Sequence, residues 1–136
     1  MKQYLLFKLD DNRHCIDIEE VKYILKYSKP TSIPLSIPEC RGVVSVKGEL
    51  KTVIDLNLCL YGNEIDLTKD TENLKLLLIN NSNKCFLVSD VNEIVTIDDN
   101  EIKEVTLNTV LCKMAKYKDD VFTIVNAKDV LENLEN

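Results

Sequence analysis

Glycine is scarce in this chain and histidine scarcer: three glycines and one histidine stand among 136 residues, with no tryptophan. So few glycines leave little room for a phosphate-cradling loop, and G-x-G-x-x-G, G-x-x-x-x-G-K and G-x-S-x-G are all missing. No apolar run approaches the ~18 residues that a membrane-crossing helix needs. The opening "MKQYLLFKLDDN" has an apolar core too short for a signal peptide, so a cytoplasmic location is expected. Basic residues are the minority, 17 against 23 acids for a net charge of −6, and they form no stripe. That pattern speaks against nucleic acid as a partner and against adsorption or insertion at an anionic membrane. Five cysteines, an odd number with no C-x-x-C pair, fit neither a zinc site nor a disulfide framework. They are read as reduced, small apolar side chains. With no low-complexity tract either, the chain is expected to form one domain burying roughly two-thirds of its unfolded surface.

What is present is a repeated phrase. Residues 14–25, "HCIDIEEVKYIL", return as residues 84–95, "KCFLVSDVNEIV", with Cys15, Val21 and Ile24 matched by Cys85, Val91 and Ile94. Farther on, "LKTVIDL" (50–56) answers "VFTIVNA" (121–127), so Thr52, Val53 and Ile54 meet Thr123, Ile124 and Val125. Asp55 then falls opposite Asn126, and both residue types cap helix N-termini. After Asp55 a short apolar stretch ends at Gly62, a left-handed stop. After Asn126, the residues Ala127, Val130, Leu131 and Leu134 share one helical face, with Asp129 placed for a capping box. Two matches in the same order point to an internal duplication, with pseudo-repeats at about 1–62 and 74–136 and a polar connector over 63–73.

Each half reads as short strands and tight turns. "QYLLFKL" (3–9) and "LKLLLIN" (74–80) are apolar runs followed by polar hairpins. In "RGVVSVKGELKTVID" (41–55), Val44 and Val46 alternate with Val43, Ser45 and Lys47, so Lys47 is expected on the non-core face. The fold class is therefore all-β: small barrels with short helices, each half too small to stand alone. Between Tyr27 and Gly42 lie all three prolines, Pro30, Pro34 and Pro38, which excludes a central strand there. That loop is expected to tuck Ile33, Leu35 and Ile37 beneath it or to offer them to a partner.

Reactive chemistry finds little to work with. His14 precedes Cys15, but neighbours in an extended segment point to opposite faces and cannot exchange a proton. A surface histidine at a hairpin is the expectation. Asp17, Glu19 and Glu20 lack a calcium-loop glycine and a third ligand, and in the second copy Asp17 and Glu19 become Leu87 and Ser89. Binding is better served: Arg41 and Lys47 bracket one strand and are expected to form a small cationic strip on an acidic protein.

The succession of "YLLFKLDDNRHCIDIEEVKYIL", "TSIPLSIPECRGVVSVKGELKTVIDL" and "KCFLVSDVNEIVTI" resembles the CheW-like domain family, over residues 4–131. The most specific piece runs from Gly42 to Leu56, where the family usually writes Asn-Leu-Arg-Gly and then Pro-Val-Ile-Asp-Leu. Here Lys47 stands for the customary Arg, Ser45 for Asn and Thr52 for Pro. Lysine keeps the charge and loses the planar two-pronged donor. The resemblance implies two intertwined five-stranded SH3-like barrels, no catalysis and no cofactor or metal. It implies a chemotaxis adaptor joining the cytoplasmic tips of methyl-accepting receptors to the histidine kinase CheA, through the kinase's own CheW-like domain. Such a protein is cytoplasmic, recruited to the inner membrane face through receptor arrays, and a monomer outside them. Carried over by position, receptor binding falls to Val21, Arg41, Gly42, Val43 and Lys47, and kinase binding to Tyr23, Leu25 and Pro30. A scaffold of another receptor–kinase system, such as twitching motility, is the alternative. An enzyme or metal protein built on Cys15 and its neighbouring acids comes third.

Overall fold

The computed structural model describes residues 1–34, 36–107 and 110–134. Its strands are β1 (Lys2–Leu9), β2 (Asn12–Asp17), β3 (Val21–Lys26), β4 (Cys40–Val46), β5 (Glu49–Asp55), β6 (Lys75–Ile79), β7 (Lys84–Val88), β8 (Asp90–Ile97), β9 (Ile102–Leu107), β10 (Val110–Tyr117) and β11 (Asp120–Val125). Two short helices follow β5 and β11, α1 (Leu56–Tyr61) and α2 (Ala127–Leu134). The all-β expectation holds, in two sheets ordered β8-β1-β2-β11-β10-β9 and β3-β6-β7-β5-β4. One sheet therefore carries a sixth strand: β9 forms from the acidic segment that replaces the proline-rich loop of the first half. With no proline in it, β9 pairs along β10, whereas the loop makes one bridge, Thr31 to Val43.

Neither sheet is built from one half of the chain. In the first, β1 and β2 pair with each other, while β8 and β11 arrive from the second half; in the other sheet β3 and β5 flank the β6–β7 hairpin. The pairing senses agree strand by strand. The β2–β11 and β5–β7 contacts are parallel and the other pairings antiparallel. Even the registers correspond: Val125 lies opposite Ile16, and Ile54 opposite Phe86. The turns correspond too, with left-handed backbone at Asp10 and Asn81 and again at Lys47 and Lys118.

β1 is buried on both faces, which explains its unbroken apolar spelling. Leu5, Phe7 and Leu9 enter a large core with Ile54, Leu77 and Phe86, while Tyr4 and Leu6 enter a smaller one with Cys15, Val95 and Phe122. The helices are capped locally. Asp55 accepts from Leu58 N–H at 3.1 Å, Gly62 closes α1 in left-handed conformation, and Asn126 accepts from Asp129 N–H at 3.0 Å. A longer-range cap joins them: Glu20, after β2, accepts from Ala127 N–H at 3.1 Å across 107 positions. An acid at a helix N-terminus is favoured by the exposed N–H groups and the helix dipole.

Candidate functional site

His14 overturns the expectation of a surface residue. It is fully buried, because β2 lies between β1 and β11 and its side chain stacks on Phe7 at 5.6 Å between ring centres. Its Nε2 hydrogen-bonds the Tyr61 hydroxyl at 2.8 Å, while Nδ1 has no hydrogen-bond partner among the described residues. Burial lowers its pKa to about 4, an effect the neighbouring Thr123 backbone only partly opposes. Cys15 points the other way, into the smaller core, and burial pushes its thiol up to about 12. Burial also raises Cys59 to about 12, and Cys85 to about 11 against the opposing pull of the Lys51 ammonium. A neutral histidine and protonated thiols on opposite sides of a strand make no nucleophile–base pair. Among the described residues no group of three histidine, cysteine or acidic side chains is placed to hold a metal ion.

The two bracketing cations of β4 part company. Arg41 sits at its start, where a bulge between Cys40 and Gly42 turns the side chain toward α1. Its Nε donates to the fully buried Asp55 carboxylate at 3.2 Å and its second guanidinium arm to the Ile65 carbonyl at 3.3 Å. Glu64 approaches the remaining arm at 3.4 Å. Asp55 Oδ2 also accepts from Ile65 N–H at 3.0 Å. One carboxylate thus ties β4, the α1 cap and the connector together, and Arg41 spends its charge inside the fold. The expected cationic strip does not form: Lys47 lies at the other end of β4, roughly 20 Å along the strand.

Lys47 and Gly48 make the two-residue turn between β4 and β5, with φ of 50° and 82°. A turn with both central residues left-handed matches the twist of the hairpin but ordinarily selects Asn, Asp or Gly at the first of them. The Lys47 ammonium reaches across to β3. It donates to the Tyr23 hydroxyl at 3.0 Å and sits 4.1 Å from the centre of the Tyr23 ring. Hydrogen bonding and charge from Lys47 lower the Tyr23 pKa. Lys22 adds a second cation at 5.8 Å from the same ring.

The other candidates lie along β3 and where the proline-rich loop crosses the start of β4. Val21 and Leu25 are partly buried on β3, packed against the large core, while Ile24 stays exposed. Gly42 is buried beneath the proline-rich loop, and a Cβ there would stand 2.1 Å from the Thr31 carbonyl oxygen. It is glycine because the loop crosses it. Pro30 forms part of that cover, and Val43 exchanges backbone hydrogen bonds with Thr31 at 2.9 Å. Ile33 and Ile37 remain exposed rather than tucked under the loop, and Leu35 lies outside the described residues. The contact between Lys47 and Tyr23 joins a residue that the resemblance alone gives to the receptor with one that it gives to the kinase. No local sequence signal could have paired them.

Comparison with known proteins fits this architecture. The pattern of the CheW-like domain family matches residues 3–135. The chain is 23% identical over 137 residues to the chemotaxis protein CheW of Bacillus subtilis (strain 168), covering 96% of this chain and 87% of that protein. Among solved structures it is similar to the scaffolding protein TtCheW from Thermoanaerobacter tengcongensis. That likeness has a TM-score of 0.80 at 22% identity and covers 93% of this chain and 84% of the other.

Proposed function

We propose that this chain, which belongs to the CheW-like domain family, is a chemotaxis scaffold that links methyl-accepting receptor tips to the histidine kinase CheA. The observation that carries the reading is the family match over residues 3–135. The fold adds support, since its two sheets end in edge strands β8, β9, β3 and β4 on which partners could dock. In this reading the protein is not an enzyme and works in the cytoplasm, reaching the membrane's inner face only through its receptors. Among the described residues no helix is long and apolar enough to cross a membrane. The pseudo-repeats at 1–62 and 74–136 would be two copies of one unit that exchanged strands to complete each other's sheets.

For the receptor, Lys47 and the partly exposed Val43 and Val21 are the residues with side chains to offer. Arg41 and Gly42 act from beneath, Arg41 by fixing the start of β4 and Gly42 by admitting the loop. For the kinase, Tyr23, Leu25 and Pro30 supply a mostly apolar edge. Weak pairwise contacts of this kind become strong when many copies engage one array. The test is a pull-down with a receptor-tip fragment and CheA, combined with a kinase-activity measurement. Simultaneous capture of both partners and a change in kinase activity are expected. Failure to hold either partner defeats the reading.

A further inference from the structure

We propose that a hollow at the start of α2 is a docking site for an arginine-bearing basic segment of a partner protein. None of the residues given above to receptor or kinase lines it, so it does not depend on those assignments. The hollow measures about 370 Å³ and lies between α2, the β6–β7 turn and the short turn that precedes β3. Ile79, Ala127 and Leu131 make an apolar floor, and the exposed Glu19, Lys128 and Glu132 stand on the rim.

Its origin lies in how the two halves diverged. Asp55 and Asn126 cap their helices from equivalent positions, so Leu56 and Asn57 of α1 answer to Ala127 and Lys128 of α2. In the first half Leu56 is fully buried. Asn57, buried as well, donates to the Asn63 carbonyl at 2.8 Å and to Asp10 of the β1–β2 turn at 3.4 Å. Those two side chains fill and seal the corner between helix and hairpin turn. In the second half alanine offers a single methyl group and the lysine is exposed, so the same corner stays open.

The lining selects the occupant. An apolar floor beneath an acidic rim suits a side chain with an aliphatic stem and a cationic head. Glu20 is already committed to the Ala127 and Lys128 N–H groups, at 3.1 and 3.4 Å. That leaves the Glu19 and Glu132 carboxylates against the one Lys128 ammonium, and among the described residues neither carboxylate has an ion-pair partner. Arginine answers this rim better than lysine. Its planar fork binds a carboxylate through two parallel bonds, keeps further donors for the Asn80 and Asn81 amide oxygens on the turn, and is more weakly hydrated. Exposed ion pairs contribute little singly, and the hollow is at the small end of sites that hold a free molecule. A polypeptide adds apolar neighbours against Leu131, which favours it over a free amino acid or a polyamine.

Nitrogen-15 NMR of the full chain tests this by titration with the blocked peptide acetyl-Leu-Arg-Leu-amide. Acetyl-Leu-citrulline-Leu-amide is its neutral isostere, and argininamide stands for a free small molecule. The arginine peptide should shift the amides of residues 79–82 and 127–132 saturably. The citrulline peptide should bind about fivefold more weakly, and argininamide more weakly than the arginine peptide. Glu19→Gln combined with Glu132→Gln, both at exposed positions, should cost the arginine peptide about the same factor and leave the thermal midpoint in place. Ala127→Leu, which installs the residue that α1 uses, should abolish the shifts. If that variant loses α2 docking, seen as a lowered midpoint, the double glutamine variant decides alone. Equal binding of the citrulline peptide, or unchanged binding by the double variant, overturns the proposal. Argininamide binding as tightly as the peptide overturns it too, in favour of a small-molecule site. With no shift from any probe the docking site is refuted, and the scaffold reading, tested on other partners, is untouched.

Discussion

Acidification should destabilise this protein through a single buried side chain. His14 is completely enclosed, and its pKa is lowered from 6.5 to about 4 by that burial. As pH falls, the unfolded chain takes up the proton first, so its free energy drops while the folded state stays neutral. The stability involved is fully present above about pH 6.5 and is lost progressively toward about pH 4. One pKa unit corresponds to about 1.4 kcal/mol, so the whole effect is on the order of 3 kcal/mol, and about 2 kcal/mol is gone by about pH 5. With a urea slope of about 1–3 kcal/mol per molar, that loss lowers the midpoint by roughly 1 M. The assay is urea denaturation from about pH 7.5 to 5 for the unmodified protein and for His14→Phe. Phenylalanine keeps the stack on Phe7, and the Tyr61 hydroxyl it abandons lies on a partly exposed side chain that can turn to water. Carboxylates titrate in both proteins and cancel in the difference. The two curves should therefore converge or cross as pH falls. Parallel curves would mean that His14 is protonated in the folded state or reached by solvent, and the argument from burial would be wrong.

Other substitutions probe the remaining contacts. Arg41→Ala strands the buried Asp55 carboxylate and should cost about 3 kcal/mol, read as a fall in thermal midpoint. Lys47→Glu should lower that midpoint only slightly, by the little that an exposed contact with Tyr23 contributes, while weakening receptor capture in a pull-down. Gly42→Ala drives a Cβ to 2.1 Å from the Thr31 carbonyl oxygen in a left-handed backbone. It should cost at least about 1–3 kcal/mol and loosen the proline-rich loop, seen as faster proteolysis there. Glu20→Gln removes the charge that caps α2 from across the chain and should cost about 1 kcal/mol in urea. An unchanged midpoint would show that the Asn126 cap suffices alone.

Most strands, the turns between them and both helix caps were legible because their signals are local, whereas β9 was not read from its acidic segment. A cap bonds an N–H three residues away, as Asp55 and Asn126 do, and a hairpin advertises itself by two apolar runs around a polar turn. The family resemblance was legible for the same reason, carried by the stretch from Gly42 to Leu56. The positions of His14 and Arg41 were not. A histidine beside a hairpin looks exposed until β11 is laid along β2, and Arg41 looks free until the bulge at its own position turns it toward Asp55.

Composition and local pattern alone determined that this chain is all-β, with strands and caps recurring in order along two halves. Only the tertiary structure decided that each sheet takes strands from both halves, that Glu20 reaches a helix 107 positions away, and that Lys47 rests on Tyr23. Backbone propensity acts over a few residues, whereas parallel pairing, buried charge and cross-strand contact depend on which distant segments the closed core brings together.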